Sequence, residues 1–245
     1  MKKSTVILIM LFIILSLFTV ISFFELDYGK VKTIMSDREY DYSDHTESGE
    51  TVVKNSEVFD DCVIKALKAD ICLVRSDKSG LEISGASKKY LEKNYNIFVD
   101  NGCLHLEFRG DLKRGGLKWR NHPDLKIKVY LKDGAKADID YVDGSFNSDV
   151  NLKKLELDFV NGGASLSGTS LYDADIDGIN GDIVLSFSEY DGEFEVNLLS
   201  GHINYFGDDI PKENLVGTVF SRQVGDGDKS VNIDLINGDI NIASK

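Results

Sequence analysis

Proline is almost absent from this chain, with 2 in 245 residues, and cysteine and tryptophan are nearly as scarce at 3 and 1. So few thiols exclude a disulfide framework, and the fold must rest on its core. Positive charge is also in deficit, with 28 Lys and Arg against 41 Asp and Glu and a formal net charge of −13. That balance excludes a broad electrostatic footprint for nucleic acid. Long helical periodicity is missing too, and the 22 Gly mark a chain that turns often through glycine. A hydrophobic content of 42% is still enough to bury a core, so wholesale disorder is excluded.

What is present is unevenly distributed. Met1-Lys2-Lys3 precedes an uncharged run from Ser4 to Phe24, 21 residues dominated by Ile, Leu, Val and Phe. As a helix this run reaches roughly 31 Å, about the thickness of a bilayer's hydrocarbon core. A cleaved signal has an apolar region of only about 7 to 15 residues ending in small residues, and no such cleavage pattern follows here. The expectation is therefore an uncleaved transmembrane signal anchor within residues 1–24, with secretion after signal cleavage as the alternative. Lys2 and Lys3 before the run, and Glu25 and Asp27 after it, orient the N-terminus to the cytoplasm. The expected location is the cell membrane, single-pass, with everything beyond Phe24 outside. The exported part then holds 26 basic and 41 acidic residues, a net of −15. Residues 25–57 read as an acidic stalk in which charges and Ser break any apolar period, and residues 58–245 read as an extracytoplasmic domain.

Cys62, Cys72 and Cys103 form no C-x-x-C pair. One disulfide with one free thiol is conceivable, and three buried, inert thiols are the simpler expectation.

Short apolar runs at 63–67 and 69–74, and the alternating stretch 80–85, carry β signals. The segment 87–95 reads as a connection. Residues 103–108 and 125–131 alternate with period 2 and read as a strand pair joined by a long loop. Beyond them lies an internal repeat. An aliphatic-polar-Gly triplet ends at Gly144, Gly162, Gly181, Gly201 and Gly238, with successive separations of 18, 19, 20 and 37. The wide last interval accommodates a degenerate copy around Gly217. Two short β runs per unit of about 19 residues suit stacked units that share a core. The reading is an all-β fold: a single-stranded β-solenoid with coils of about 18–20 residues and glycine corners, preceded by one N-terminal transmembrane helix. The competing architecture takes each Asn-Gly as a type I′ hairpin turn and yields an antiparallel β-sandwich.

The units Ile179-Asn180-Gly181-Asp182-Ile183 and Ile236-Asn237-Gly238-Asp239-Ile240 resemble the bacterial family of proposed adhesins, uncharacterised domains with G-D-I/V repeats. The resemblance spans about residue 58 to the C-terminus and is strongest from Leu125 onward. It implies stacked β coils and surface attachment, and it brings no catalytic residue. The chain departs from the regular pattern at Gly162-Gly163-Ala164, at Gly201-His202 and in the insertion 207–214.

Three features bear on function. Asp173, Asp175 and Asp177 followed by Gly178 match the opening of a calcium-binding loop, but Val184 stands where the bidentate Glu belongs. In a strand these carboxylates point to one face about 7 Å apart, as an exposed acidic ladder or a weak shared cation site. Lys113, Arg114, Lys118, Trp119 and Arg120 form the only concentrated basic segment, either a solvated hairpin loop or a ligand patch for an anionic polymer. No catalytic motif is evident, although β-repeat folds also carry paired-carboxylate glycosidases. The expected function is a membrane-anchored binding or scaffold module, adhesin-like and non-catalytic, with no cofactor and no nucleic acid. Its expected partner is a cell-envelope polymer or a membrane protein. The alternatives are an accessory to an envelope-stress sensing system and a polysaccharide-active enzyme.

Overall fold

Period-2 alternation places aliphatic residues on one face of each segment from residue 61 onward, and the computed structural model is accordingly built from strands. It describes residues 53–55, 58–110, 122–168, 173–188, 190–211 and 217–244. In chain order the strands are β1 (Val53–Asn55), β2 (Asp61–Arg75), β3 (Gly80–Ser84), β4 (Tyr95–Asp100), β5 (Cys103–Phe108), β6 (Leu125–Leu131), β7 (Lys136–Ser148) and β8 (Lys154–Gly168). They continue as β9 (Asp173–Phe187), β10 (Gly192–Ser200), β11 (Ile203–Tyr205), β12 (Asp208–Ile210), β13 (Thr218–Val224), β14 (Lys229–Asn237) and β15 (Ile240–Ser244). One helix, α1 (Lys88–Asn94), occupies the stretch expected to be a connection. Ser87 caps it by accepting a hydrogen bond from the Tyr90 N–H at 3.2 Å, and the Asn94 amide donates back to the Tyr90 carbonyl at 2.9 Å. The cap and that return bond offset the weak helix propensity of Asn.

β7, β8 and β9 each continue without a break through a repeat glycine. In β8 the buried residues are Leu155, Leu157 and Phe159 before Gly162, and Ala164 and Leu166 after it. The buried parity switches across the glycine, so two limbs of one strand feed the same core. Leu157 and Leu166 both belong to that core, with Ile139, Ile176, Ile183, Val196 and Ile233 from neighbouring strands. Tyr141 stacks on Phe159 with ring centroids 5.6 Å apart, and its hydroxyl donates to the Gly163 carbonyl at 2.8 Å. Gly178 takes the corresponding inward position in β9, where the Phe159 ring and Leu235 fill the space a side chain would need.

Gly144, Gly162, Gly181, Gly238 and Gly201 form one column. Gly144 is beside Gly162 and Gly162 beside Gly181 in the parallel register. Their φ angles lie between +136° and +147°. A Cβ on Gly181 would overlap the carbonyl oxygen of Gly162, one on Gly238 that of Gly181, and one on Gly201 that of Gly238. Only glycine satisfies both the angle and the approach.

Several expectations are corrected here. The single-stranded solenoid is replaced by one large, open, mixed sheet in the order β1-β3-β6-β2-β7-β8-β9-β14-β10-β13. Coils of a solenoid would follow one another in chain order, whereas here β14 lies between β9 and β10 and is parallel to both. The chain passes the vacant place beside β9, doubles back through antiparallel β12 and β13, and then returns to fill it. That detour explains the interval of 37 between Gly201 and Gly238, and it places Gly217 immediately before antiparallel β13 instead of in a further coil. The antiparallel sandwich is corrected as well, because the central ladders from β2 to β10 are parallel. β5 and β6 do not pair with each other; they lie parallel to the two halves of β2, at 61–65 and 69–75. Finally, no helix among the described residues is long and apolar enough to cross a membrane. The expected span, residues 4–24, lies outside the described residues, and the transmembrane helix and single-pass location are withdrawn.

Gly181→Ala is expected to destabilise the domain by at least about 3 kcal/mol, combining a strained φ with a backbone overlap. Gly134→Ala, at φ +90° with open space around its Cβ position, should cost only about 1 kcal/mol. Chemical denaturation of the two variants beside the parent measures the difference.

Candidate functional site

The outward residues of the first limbs, those preceding the glycine column, align into columns because neighbouring strands are parallel and in register. One column is Asp140–Asp158–Asp177–Asp234, across β7, β8, β9 and β14. A second is Asp138–Glu156–Asp175, continued by Asn232 and Glu195. Asp173, Asp175 and Asp177 are exposed on this face, while Ala174 and Ile176 turn inward. Each of the three therefore belongs to a different column. No group of three His, Cys, Asp or Glu among the described residues is arranged to hold a metal ion.

The aspartate column has polar partners at its ends. Lys65 of β2 pairs with Asp140 at 2.9 Å, and the Asn197 amide donates to Asp234 at 2.7 Å. Between them, partial burial pushes the Asp158 carboxyl up to about 6, reinforced by the charges of Asp140 and Asp177, a hydrogen bond with Asp140 and the charge of Asp138. Burial also raises Asp177, with Asp234 and Asp175 adding to the effect. Asp138 is raised by burial against the opposing pull of Lys65.

A further column on this face is apolar. It consists of the aliphatic members of the repeat triplets: Val142, Val160, Ile179, Ile236 and Leu199. Val160 lies between the register pairs Phe159–Gly178 and Asn161–Asn180, and so comes beside Ile179. Val142 and Val160 are half-buried, whereas Ile179, Ile236 and Leu199 are 41%, 42% and 48% exposed. Beside them the polar members stack: the Asn180 amide donates to Asn161 at 3.1 Å and the Asn237 amide to Asn180 at 3.4 Å. Past the corner, the Asp182 carboxylate accepts the Asp239 N–H at 2.9 Å, and Asp239 accepts the His202 N–H at 2.9 Å. The triplets ending at Gly181 and Gly238 thus each supply an exposed aliphatic, an amide rung and a corner, and the Asp that follows each accepts a backbone N–H of the next rung.

The corner glycines Gly144, Gly162, Gly181, Gly201 and Gly238 hold these columns in place. The basic segment Lys113, Arg114, Lys118, Trp119 and Arg120 lies outside the described residues. The cysteines are free, with Cys62 buried and Cys72 and Cys103 half-buried. Burial raises all three thiols, with Cys103 and Asp61 adding to the effect at Cys62. Sequence reasoning missed the aliphatic column. Its signal was parity, since Val160 shares the outward parity of Glu156 and Asp158 and not the inward parity of Leu155 and Leu157.

No family model matches the chain, and no curated protein matches it. Among solved structures, a proposed cell adhesion protein of Clostridium sporogenes is similar over 79% of this chain and 97% of its own, with a TM-score of 0.50 and 18% identity. A proposed adhesin of Bacteroides fragilis covers 80% of this chain and 99% of its own, with a TM-score of 0.31 and 13% identity. A proposed lipid-binding protein of Parabacteroides distasonis covers 78% and 95%, with a TM-score of 0.27 and 14% identity. The first of these likenesses establishes a shared fold.

The raised Asp158 gives the domain a pH dependence with a definite sign. The folded state holds this proton up to about pH 6, whereas an unfolded Asp releases it near 3.8. The charged column therefore weakens the fold above about pH 6, and stability rises as pH falls from 7.5 towards 5. Asp158→Asn should raise the melting temperature at pH 7.5 and flatten its change down to pH 5; thermal melts at both pH values check this.

Proposed function

We propose that this domain is an adhesin-like, non-catalytic binding module that works outside the cell and grips a linear cell-envelope polymer along its corner ridge. The observation that carries the reading is the outward aliphatic column Val142–Val160–Ile179–Ile236–Leu199, lying beside the Asn161–Asn180–Asn237 ladder. Apolar contact and hydrogen-bonding amides recur together at the interstrand spacing of about 4.8 Å. A one-dimensional lattice of that kind suits a ligand that repeats along its length. The flanking carboxylates repel polyanions, which favours a neutral or amine-bearing glycan chain. The shared fold with the proposed clostridial cell adhesion protein supports the same class of role. The carboxylates described on this face are spread along ladders, an arrangement that favours binding over catalysis.

Co-sedimentation of the full chain with insoluble chitin, cellulose or chitosan tests the proposal. Binding to at least one is expected, and the double variant Ile179→Asp, Ile236→Asp should weaken it at least about 10-fold through lost apolar contact. Because both side chains are exposed, the melting temperature should hold. Unchanged binding by the double variant, or no binding by the parent to any of the three, would sink the reading.

A further inference from the structure

An open sheet has edges, and the edges of this one are not alike. β13 ends one side, and its exposed Arg222 lies opposite the buried Phe194, so a charge takes a core-facing register position on an edge strand. An inward charge of this kind blunts an edge against further pairing. β12 is three residues long and begins with two aspartates, and β1 is equally short. β4 differs from all of these. Its six residues, Tyr-Asn-Ile-Phe-Val-Asp, contain no Pro, Lys or Arg. It pairs with β5 on one side and with no strand among the described residues on the other. Ile97 and Val99 are only half-buried, although Leu106 and Leu104, their partners in β5, are fully buried. Phe98 is 44% exposed, with its ring stacked on His105 at 4.7 Å.

We propose that β4 is a homodimerisation edge, occupied by β4 of a second copy of this chain in antiparallel, two-fold pairing centred on Phe98. The hydrogen-bond phase of the hairpin turns the required groups away from β5. Asp100 and Cys103 flank the two-residue turn Asn101-Gly102, and the Arg109 N–H bonds to the Asn94 carbonyl at 2.8 Å. The alternate residues Asn96, Phe98 and Asp100 therefore bond to β5, and the N–H and C=O groups of Ile97 and Val99 point away from it. In the two-fold register, Ile97 of each copy exchanges both backbone bonds with Val99 of the other. The side chains agree at every position: Ile97 meets Val99, Phe98 meets Phe98, and Asn96 meets Asp100 with an amide donor against a carboxylate. No like charges oppose one another, so the anionic domains pair through a strand whose only charge finds a neutral donor. The half-buried Ile97 and Val99 are then covered as Leu104 and Leu106 already are, and the Phe98–His105 stack continues into its symmetry mate.

Sedimentation equilibrium of the full chain, with circular dichroism as the fold check, tests this. The parent is expected to be dimeric. Phe98→Lys and Phe98→Glu should each be monomeric, and an equimolar mixture of the two should dimerise again, because only this register sets position 98 against itself. Independently of any folding defect at Phe98, Asn96→Asp should weaken the dimer at least tenfold by opposing Asp100, and adding Asp100→Asn should restore it. A monomeric parent, a dimer that survives Phe98→Lys, or an Asn96→Asp effect that the second exchange fails to reverse would each overturn the proposal.

Discussion

The close approach of backbones at the glycine column is the constraint on which the rest of this structure depends. Carbonyl oxygens of one strand occupy the places where side chains of the next would begin, from Gly162 over Gly144 to Gly201 over Gly238. The positive φ at each glycine joins two limbs, within β7, β8 and β9 and between β10 and β11 and β14 and β15, and the parity of the inward face switches across it. Both limbs can then share one core, and the register is locked because a slip would bring a Cβ into the column.

The outer face follows from that register. Parallel, in-register strands place each residue beside its repeat counterpart, so a residue type placed once per unit becomes a column. Aspartates become a proton-holding ladder, asparagines an amide ladder and aliphatics an exposed ridge. The backbone bonds that impose this spacing do not depend on the charge of the side chains they carry, so four aspartates are held in a row against their mutual repulsion. Lys65 and Asn197 relieve only the two ends. In the interior of the row, partial burial and, beyond it, that repulsion raise the affinity for protons, most clearly at Asp158.

Much of the local structure was legible. Period 2 located the strands, the triplets located the corners, and the outward direction of Asp173, Asp175 and Asp177 followed from alternation alone. The order of the strands was not legible, because a repeat period reports how far apart similar units lie along the chain and not which unit lies beside which. Gly238 is 37 residues beyond Gly201, yet its strand inserts on the near side, against β9. The pairing of β5 and β6 with the two halves of β2 escaped for the same reason, since alternating strands carry no record of their neighbours. α1 was missed because its stability lies in the Ser87 cap and the Asn94 return bond, each a matter of one residue's placement.

By itself, the amino-acid sequence determined that this is a β protein without disulfide support, that it repeats at about 19 residues, and that glycine occurs where strands must bend. These are local consequences of side-chain alternation and of the missing Cβ. Tertiary structure alone decided that the sheet is open and mixed, that β14 displaces β10 from the side of β9, that the triplet aliphatics lie on the outer face, and that β4 pairs on one side only among the described residues. Each of those outcomes depends on which segments, distant in the chain, compete for the same row of backbone hydrogen bonds, and only the assembled fold resolves that competition.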